Sequence, residues 1–265
     1  MQRVTSRANP RLREAARLAA SARDRRKSGL CVLEGEHVVA VYAERVGAPR
    51  SLIVTDEALA RPAVRALTER FSDLALVVTE SLFDAIATLP PDVGVLAVIE
   101  TPATRPPAQA EFCLLVEDVQ DPGNVGSMLR TAAAAGAAHV LMSKHSAFAW
   151  SPKVLRAGQG AHFCVAIHED VDLTAWASAH RGAGGEVIAT VAGRGESVFD
   201  TTLRGRLAVA IGNEGSGLSA SLLATATRRV TIPMDRGVES LNAAAAAAVV
   251  LFECVRQRGM ARSGA

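Results

Sequence analysis

The chain has 265 residues, 49% of them hydrophobic, which is long for one domain and comfortable for two. Charged residues make up 21% and aromatic residues 4%, which disfavours a largely disordered chain and a protein that reads single strands by stacking many bases. The net charge of +2 hides an asymmetry: residues 1–30 carry nine basic groups against Glu14 and Asp24, a basic arm on a near-neutral body that suits an anionic polymer such as a nucleic acid.

In chain order, apolar runs at Leu30–Leu33, Leu52–Val54, Leu76–Val78 and Val93–Ile99 predict strands. Helix-like stretches at Glu57–Arg70 and Ser81–Leu89 alternate with them, and together they describe a small α/β domain over residues 1–100. Residues 101–110 hold Pro102, Pro106 and Pro107 and form an extended spacer. Beyond it, residues 111–265 offer strands at Phe112–Val116, His139–Met142, His162–Ile167, Val187–Val191, Leu207–Ile211 and Val230–Ile232. These runs are continuously apolar rather than alternating, as in a parallel sheet buried on both faces. The last helix is expected at Asn242–Gln257. The expected fold class is therefore α/β, with a small N-terminal domain and a larger C-terminal parallel-sheet domain.

Cysteines at positions 31, 113, 164 and 254 form no C-x-x-C pair, and the six histidines show no H-x-x-x-H spacing. Neither a metal site nor a disulfide framework is signalled, and all four cysteines read as small core residues. The longest apolar run, Ala243–Phe252, is too short to span a bilayer, and Met1 is followed by polar and basic residues. The expectation is a soluble, cytoplasmic protein.

Three stretches carry polar chemistry. In the first, Val116 to Arg130, a buried strand runs into Asp121-Pro122-Gly123-Asn124 and then an alanine-rich helix. Asn124 reads as the helix N-cap and Gly136 as its stop. Arg130 either pairs with Asp118 or Asp121, or approaches a phosphate, which a guanidinium suits. In the second, Val209 to Ser219, three glycines within six residues end a strand, so that main-chain N–H groups can approach a ligand. No Gly-Lys-Ser/Thr follows, which argues against a phosphate-loop nucleotidase. In the third, Val230 to Ala248, Ser240 and Asn242 are both natural capping residues, and a helix needs only one.

Read together, D-P-x-N-x-G with Arg130, then G-x-E-G-x-G, then I-P-M with S-L-N resemble the three motifs of the SpoU (TrmH) family of RNA methyltransferases. The segment Ser151–Gly160 is similar to the family's linking region. Asn9-Pro10 and Leu33-Glu-Gly-Glu-His37 are similar to its substrate-binding domain. The resemblance implies a deep trefoil knot in the C-terminal domain, a homodimer with the active site near the subunit interface, and S-adenosylmethionine bound without metal. By position it implies cofactor contacts from Val191, Gly212, Ile232 and Leu241. It implies an active site of Asn124, Arg130, Glu214, Ser240 and Asn242.

The expected reaction is methylation of a ribose 2′-hydroxyl in RNA, with ribosomal RNA favoured by family analogy. The family gives the arginine matching Arg130 the role of base; a guanidinium normally stays protonated, so binding the neighbouring phosphate and stabilising the forming alkoxide is the other role open to it. Two further readings are a knotted methyltransferase acting on a base nitrogen and a non-catalytic RNA-binding factor of ribosome assembly.

Overall fold

In a computed structural model, residues 1–88, 93–235, 237 and 240–259 are described. The chain forms two compact units: Met1–Pro102 with Trp150–Phe163, and Ala103–Ala149 with Cys164–Ala265. The segment Trp150–Phe163, inside the stretch 111–265 that the sequence assigns to one C-terminal domain, thus groups with the first unit.

The first unit contains β1 (Gln2–Val4), α1 (Pro10–Ala20), α2 (Ala22–Ser28), β2 (Leu30–Glu34), α3 (Glu36–Arg45), β3 (Ser51–Thr55), α4 (Pro62–Arg70), β4 (Ala75–Val78), α5 (Glu80–Asp84) and β5 (Val95–Glu100). Its five-stranded sheet has the order β1-β4-β3-β5-β2, with β5 antiparallel to both neighbours. Asn9 caps α1 by accepting from the Arg11 and Leu12 amides, Pro10 fills the first helical position, and Leu12, Ala15, Leu18 and Ala19 turn inward. Leu12, Ala15 and Leu18 meet Val32, Ile53, Leu76, Phe83 and Leu96 in one core.

The basic segment is consequently folded, not an arm. Arg25 is buried and donates to the carbonyls of Leu18 and Ala19, and Arg11 donates to that of Leu74. Arg13, Arg17, Arg23 and Lys27 remain exposed on the outer helix faces.

Several expected boundaries move for identifiable reasons. Glu57–Arg70 splits into a 3₁₀ turn at Ala58–Ala60 and α4, which starts at Pro62, a residue without an amide to continue the preceding turn. The helix expected at Ser81–Leu89 is α5 at Glu80–Asp84, and Leu89 lies outside the described residues. His162–Ile167 is not one strand. Gln159 and Gly160 adopt left-handed conformations, Ala161–Phe163 forms a 3₁₀ turn, and His162 and Phe163 pack beside Trp150. Cys31, Cys113 and Cys254 are buried, but Cys164, at the turn that follows, is exposed.

The second unit contains β6 (Phe112–Val116), α6 (Pro122–Ala134), β7 (His139–Met142), β8 (Ala166–His168), α8 (Leu173–Gly182), β9 (Glu186–Thr190), β10 (Glu196–Ser197), β11 (Leu207–Ile211), α9 (Ala220–Thr225), β12 (Arg228–Thr231) and α10 (Ala243–Arg258); α7 (Pro152–Gly158) belongs to the first unit. Seven parallel strands form one sheet in the order β10-β12-β9-β11-β6-β7-β8. Every residue of β6 and β11 is buried, as continuous apolar runs require. Leu115, Leu141, Ala189 and Ala208 pack with Trp176 and Ala177 of α8 and with Leu222 of α9, while α10 packs against α6 and β11. No described helix is long and apolar enough to cross a membrane. Among the described residues no group of three His, Cys, Asp or Glu side chains is placed to hold a metal ion.

Burial disfavours the charged form of three histidines of this unit. His180 is fully buried and stacked on Trp176 with ring centroids 4.9 Å apart. A Cβ on Gly185 would fall 2.2 Å from its Nε2, so only glycine admits the ring. Burial, and then the Arg206 charge, lower its pKa from the ordinary 6.5, against smaller upward effects of an Arg206 backbone hydrogen bond and of Glu111. Burial also lowers His139 and His168, whose rings approach to 3.1 Å. A histidine lowered in the folded state binds fewer protons than in the unfolded chain, so stability is full above about pH 6.5 and declines as the pH falls below it. Thermal unfolding followed from pH 8 to pH 5 should show this decline, and His180→Phe should flatten it. An equally steep decline in the variant would exclude His180 as a cause.

Candidate active site

The pairing of β6 with β11 aligns Val116 with Ile211. The loops leaving those two strands therefore emerge side by side at the carboxyl edge of a parallel sheet, where ligands bind in open α/β folds.

In the first loop Asp121, not Asn124, is the N-cap of α6. Its Oδ1 accepts from the Asn124 amide at 2.7 Å, and Pro122 occupies the first helical position. A cap must precede that proline, so Asn124 lies inside the first turn with its side chain free of capping duty. Gly136, with φ 77°, ends the helix in the left-handed conformation expected of it.

The Asn124 amide is held at both ends. Its Nδ2 donates to Glu214 Oε1 at 2.7 Å, and its Oδ1 accepts from Asn242 Nδ2 at 2.8 Å. Asn242 is also the N-cap of α10, its Oδ1 accepting from the amides of Ala244 and Ala245 at 2.9 and 3.2 Å. Three of the five expected active-site residues thus form one hydrogen-bonded chain from segments about a hundred residues apart.

The glycine-rich loop after β11 closes on itself. Asn213 and Gly217 exchange main-chain hydrogen bonds, and a Cβ on Gly212 would lie 2.3 Å from the Gly217 carbonyl carbon. Glu117 anchors the loop's far end by accepting from the Ser219 amide and hydroxyl, both at 2.7 Å. Between this loop and the ends of β9 and β12 lies a cavity of about 310 Å³. Val191, Gly212, Ile232 and Leu241, the four expected cofactor residues, all line it, together with Glu214 and Ser240.

Ser240 is exposed at the mouth of the cavity; Arg236, Val238 and Glu239 of the same loop lie outside the described residues. Arg130 does not join the Asn124 chain. It stands on the exposed stripe of α6 with Gly123, Ser127 and Ala134 and has no hydrogen bond or ion pair among the described residues. Neither carboxylate considered for it is used that way: Asp118 accepts from Ser143 Oγ at 2.6 Å, and Asp121 caps the helix. Sequence reading passed over Glu117, Asn213 and Ser219, which hold the loops, and weighed Asp118 only as a partner for Arg130. Only Asn213 carried a signal, as a polar residue inside the glycine-rich run.

The cavity fits a nucleoside-bearing cofactor. Apolar walls from Val191, Ile211, Ile232 and Leu241 face polar groups of Glu214 and Ser240 at the rim, the lining expected of a small-molecule site. Comparison with known proteins agrees. Residues 111–252 match the model of the SpoU rRNA Methylase family. Over 95% of its length the chain is 30% identical to 98% of the Bacillus subtilis 23S rRNA (guanosine(2553)-2′-O)-methyltransferase. Over 97% of its length it is 30% identical to 93% of a Streptomyces viridochromogenes 23S rRNA (uridine(2479)-2′-O)-methyltransferase. The crystal structure of the SpoU methyltransferase AviRb from the latter organism, in complex with AdoMet, superposes with a TM-score of 0.83 at 28% identity, covering 96% of this chain and all of that one. The protein is a methyltransferase with a parallel-sheet α/β fold. It belongs to the SpoU rRNA methylase family.

Gly212→Ala should force the loop open, because the new methyl meets backbone rather than a flexible side chain. The expected cost is about 2 kcal/mol of stability, together with loss of any stabilisation by S-adenosylmethionine. Calorimetry with and without the cofactor checks both, and an unchanged ligand-induced shift would contradict the loop's role.

Proposed function

We propose that the protein transfers a methyl group from S-adenosylmethionine to a ribose 2′-hydroxyl of ribosomal RNA in the cytoplasm. The observation that carries this reading is the Glu214–Asn124–Asn242 chain at a cavity lined by Val191, Gly212, Ile232 and Leu241. Relatives named as 23S rRNA 2′-O-methyltransferases over nearly the whole chain support the substrate class.

The bound sulfonium supplies an electrophilic methyl; the protein has to place the ribose oxygen in line with it and manage one proton. Val191, Gly212, Ile232 and Leu241 hold the cofactor. Glu214 and Asn242 fix the Asn124 amide, and Ser240 and Asn124 orient the ribose. Arg130, free on the outer face of α6, reaches a bound molecule rather than its own chain. Its guanidinium grips the adjacent phosphate and offsets charge on the forming alkoxide. The exposed Arg13, Arg17, Arg23 and Lys27 give the first unit a contact with RNA of its own.

Two architectural features belong to the same proposal. The order β10-β12-β9-β11-β6, in which β11 and β12 enter between strands formed earlier in the chain, supports a trefoil knot. The outer face of α10 carries Ala245, Ala248, Val249, Phe252 and Val255 in one stripe, with Phe252 48% exposed. Such a surface supports a homodimer through this helix. Phe252→Glu should halve the mass seen by light scattering at micromolar concentration without unfolding the protein. A dimer that persists in the variant would place the interface elsewhere.

The test of function is a map of alkali-resistant 2′-O-methyl positions in ribosomal RNA from cells with and without the protein. One position should vanish without it. A lost base methylation in its place would make the protein a base methyltransferase, and no change in either, with no cofactor binding, would make it an assembly factor. Complementation with Arg130→Ala should not restore the position. The purified variant should keep its cofactor-induced stabilisation yet lose activity roughly a hundredfold or more. Arg130→Lys keeps charge but not the planar fork, so activity should stay low at every pH. Activity rising with pH would instead indicate a base at this position.

A further inference from the structure

The Asn124 chain needs two loops in register, and one side chain outside the chain ties them together. Asn213 Oδ1 accepts from the Gly215 amide at 2.9 Å, the Ser216 amide at 3.0 Å and the Ser216 hydroxyl at 3.2 Å. It thereby wraps the peptide on the far side of Glu214. Its Nδ2 points the other way and donates to the Asp118 carbonyl at 2.9 Å, across 95 residues of sequence. Asp118 lies three residues before Asp121, the cap of the helix that carries Asn124. One amide therefore joins the segment presenting Glu214 to the segment presenting Asn124, whose side chains meet at 2.7 Å.

Asp118 is prepared for this contact. Its φ of 55° is left-handed, a conformation that L side chains rarely adopt. Ser143 holds it there, accepting from the Asp118 amide at 2.8 Å and donating to Oδ1 at 2.6 Å. Glu117 beside it secures the other end of the glycine-rich loop through Ser219. Strain of this kind persists where the surroundings over-determine the backbone, commonly at functional sites.

We infer that Asn213 is a positioning residue for methyl transfer: through the Asp118 carbonyl it sets Glu214 against Asn124. The inference rests on the proposal that Glu214, Asn124 and Asn242 form the reaction site. The two ends of the side chain do separable work. Oδ1 shapes the loop that walls the cofactor cavity, and Nδ2 holds the Glu214 end of that loop to the Asp118 segment, as Glu117 holds its far end through Ser219.

Asn213→Asp separates them, because a carboxylate keeps the acceptor and loses the donor. Methyl transfer to a 23S rRNA transcript is measured with methyl-labelled cofactor, alongside calorimetric binding of S-adenosylhomocysteine and thermal unfolding. At pH 8 the variant should bind S-adenosylhomocysteine within about threefold of wild type and keep its KM for RNA. Its kcat should fall roughly tenfold or more, as misplacement of a catalytic group does. Lowering the pH should restore kcat relative to wild type at the same pH, since a protonated carboxyl donates to the Asp118 carbonyl again. A purely structural asparagine would give no such recovery. Asn213→Ala should lose kcat without recovering at any pH. Wild-type kcat in Asn213→Asp, or a parallel loss of S-adenosylhomocysteine binding, would overturn the inference. Asn124→Ala is the companion control. If it is inactive while Asn213→Asp is fully active, this inference alone fails. If it is fully active, the reaction-site assignment fails and takes the inference with it.

Discussion

The pairing of β6 with β11 is the constraint on which the second unit is built. Five consecutive residues of each strand face one another from Phe112–Leu207 to Val116–Ile211, all buried. A slip of one residue would turn every side chain to the opposite face of the sheet. In a sheet covered on both sides that change is sterically intolerable, because small residues such as Ala208 and Ala210 fit under Trp176 and Leu222 where larger ones would not. The register thus fixes where each strand ends, and so places residues 117–124 beside residues 212–219.

Polar residues at that edge divide their tasks. Asp121 and Asn242 satisfy helix amides, Glu117 and Ser143 hold loops, and Glu214 and Asn124 bond to one another. The contact between Glu214 and Asn124 is short, at 2.7 Å, and joins the two loops directly. Arg130 is set apart from all of these. An arginine paired with Asp118 or Asp121 would be compensated within the chain and of little use to a phosphate; the two carboxylates are instead occupied by Ser143 and the Asn124 amide.

The parallel sheet was legible because buried strands such as Leu207–Ile211 are apolar without interruption, whereas the longer apolar run Ala243–Phe252 is mostly alanine and reads as helix. The polar residues of the site were legible because capping explains only one member of each pair: Asp121 or Asn124, Ser240 or Asn242. The choice of Asn124 as the cap was wrong because the helix was begun after the Asp-Pro step rather than at it. His162–Ile167 read as one strand from composition alone. The left-handed Gln159 and Gly160, and the aromatic packing of His162 and Phe163, appear only in three dimensions. The basic N-terminal segment misled for a related reason. Charge counts do not distinguish Lys27, which faces water, from Arg25, whose guanidinium is consumed by carbonyls at the end of α1. The sequence presents Asp118 only as a partner for Arg130; its actual role lies in a backbone angle and a carbonyl, which no side-chain pattern reveals.

Asn242 has a consequence for which amino acids its position can tolerate. As a helix cap it could be exchanged for serine, threonine or aspartate at little cost, for each offers an acceptor to the amides of Ala244 and Ala245. The same side chain must also donate to Asn124 Oδ1. Serine and threonine are too short to serve both directions at once, and aspartate would set a carboxylate against an amide oxygen. Glutamine would carry the donor but lift the acceptor away from the helix axis. Two modest demands, each met by several residues when taken singly, intersect at one member of the amino-acid alphabet. A lineage drifting at this site could not pass through an intermediate that keeps both the helix start and the amide chain intact.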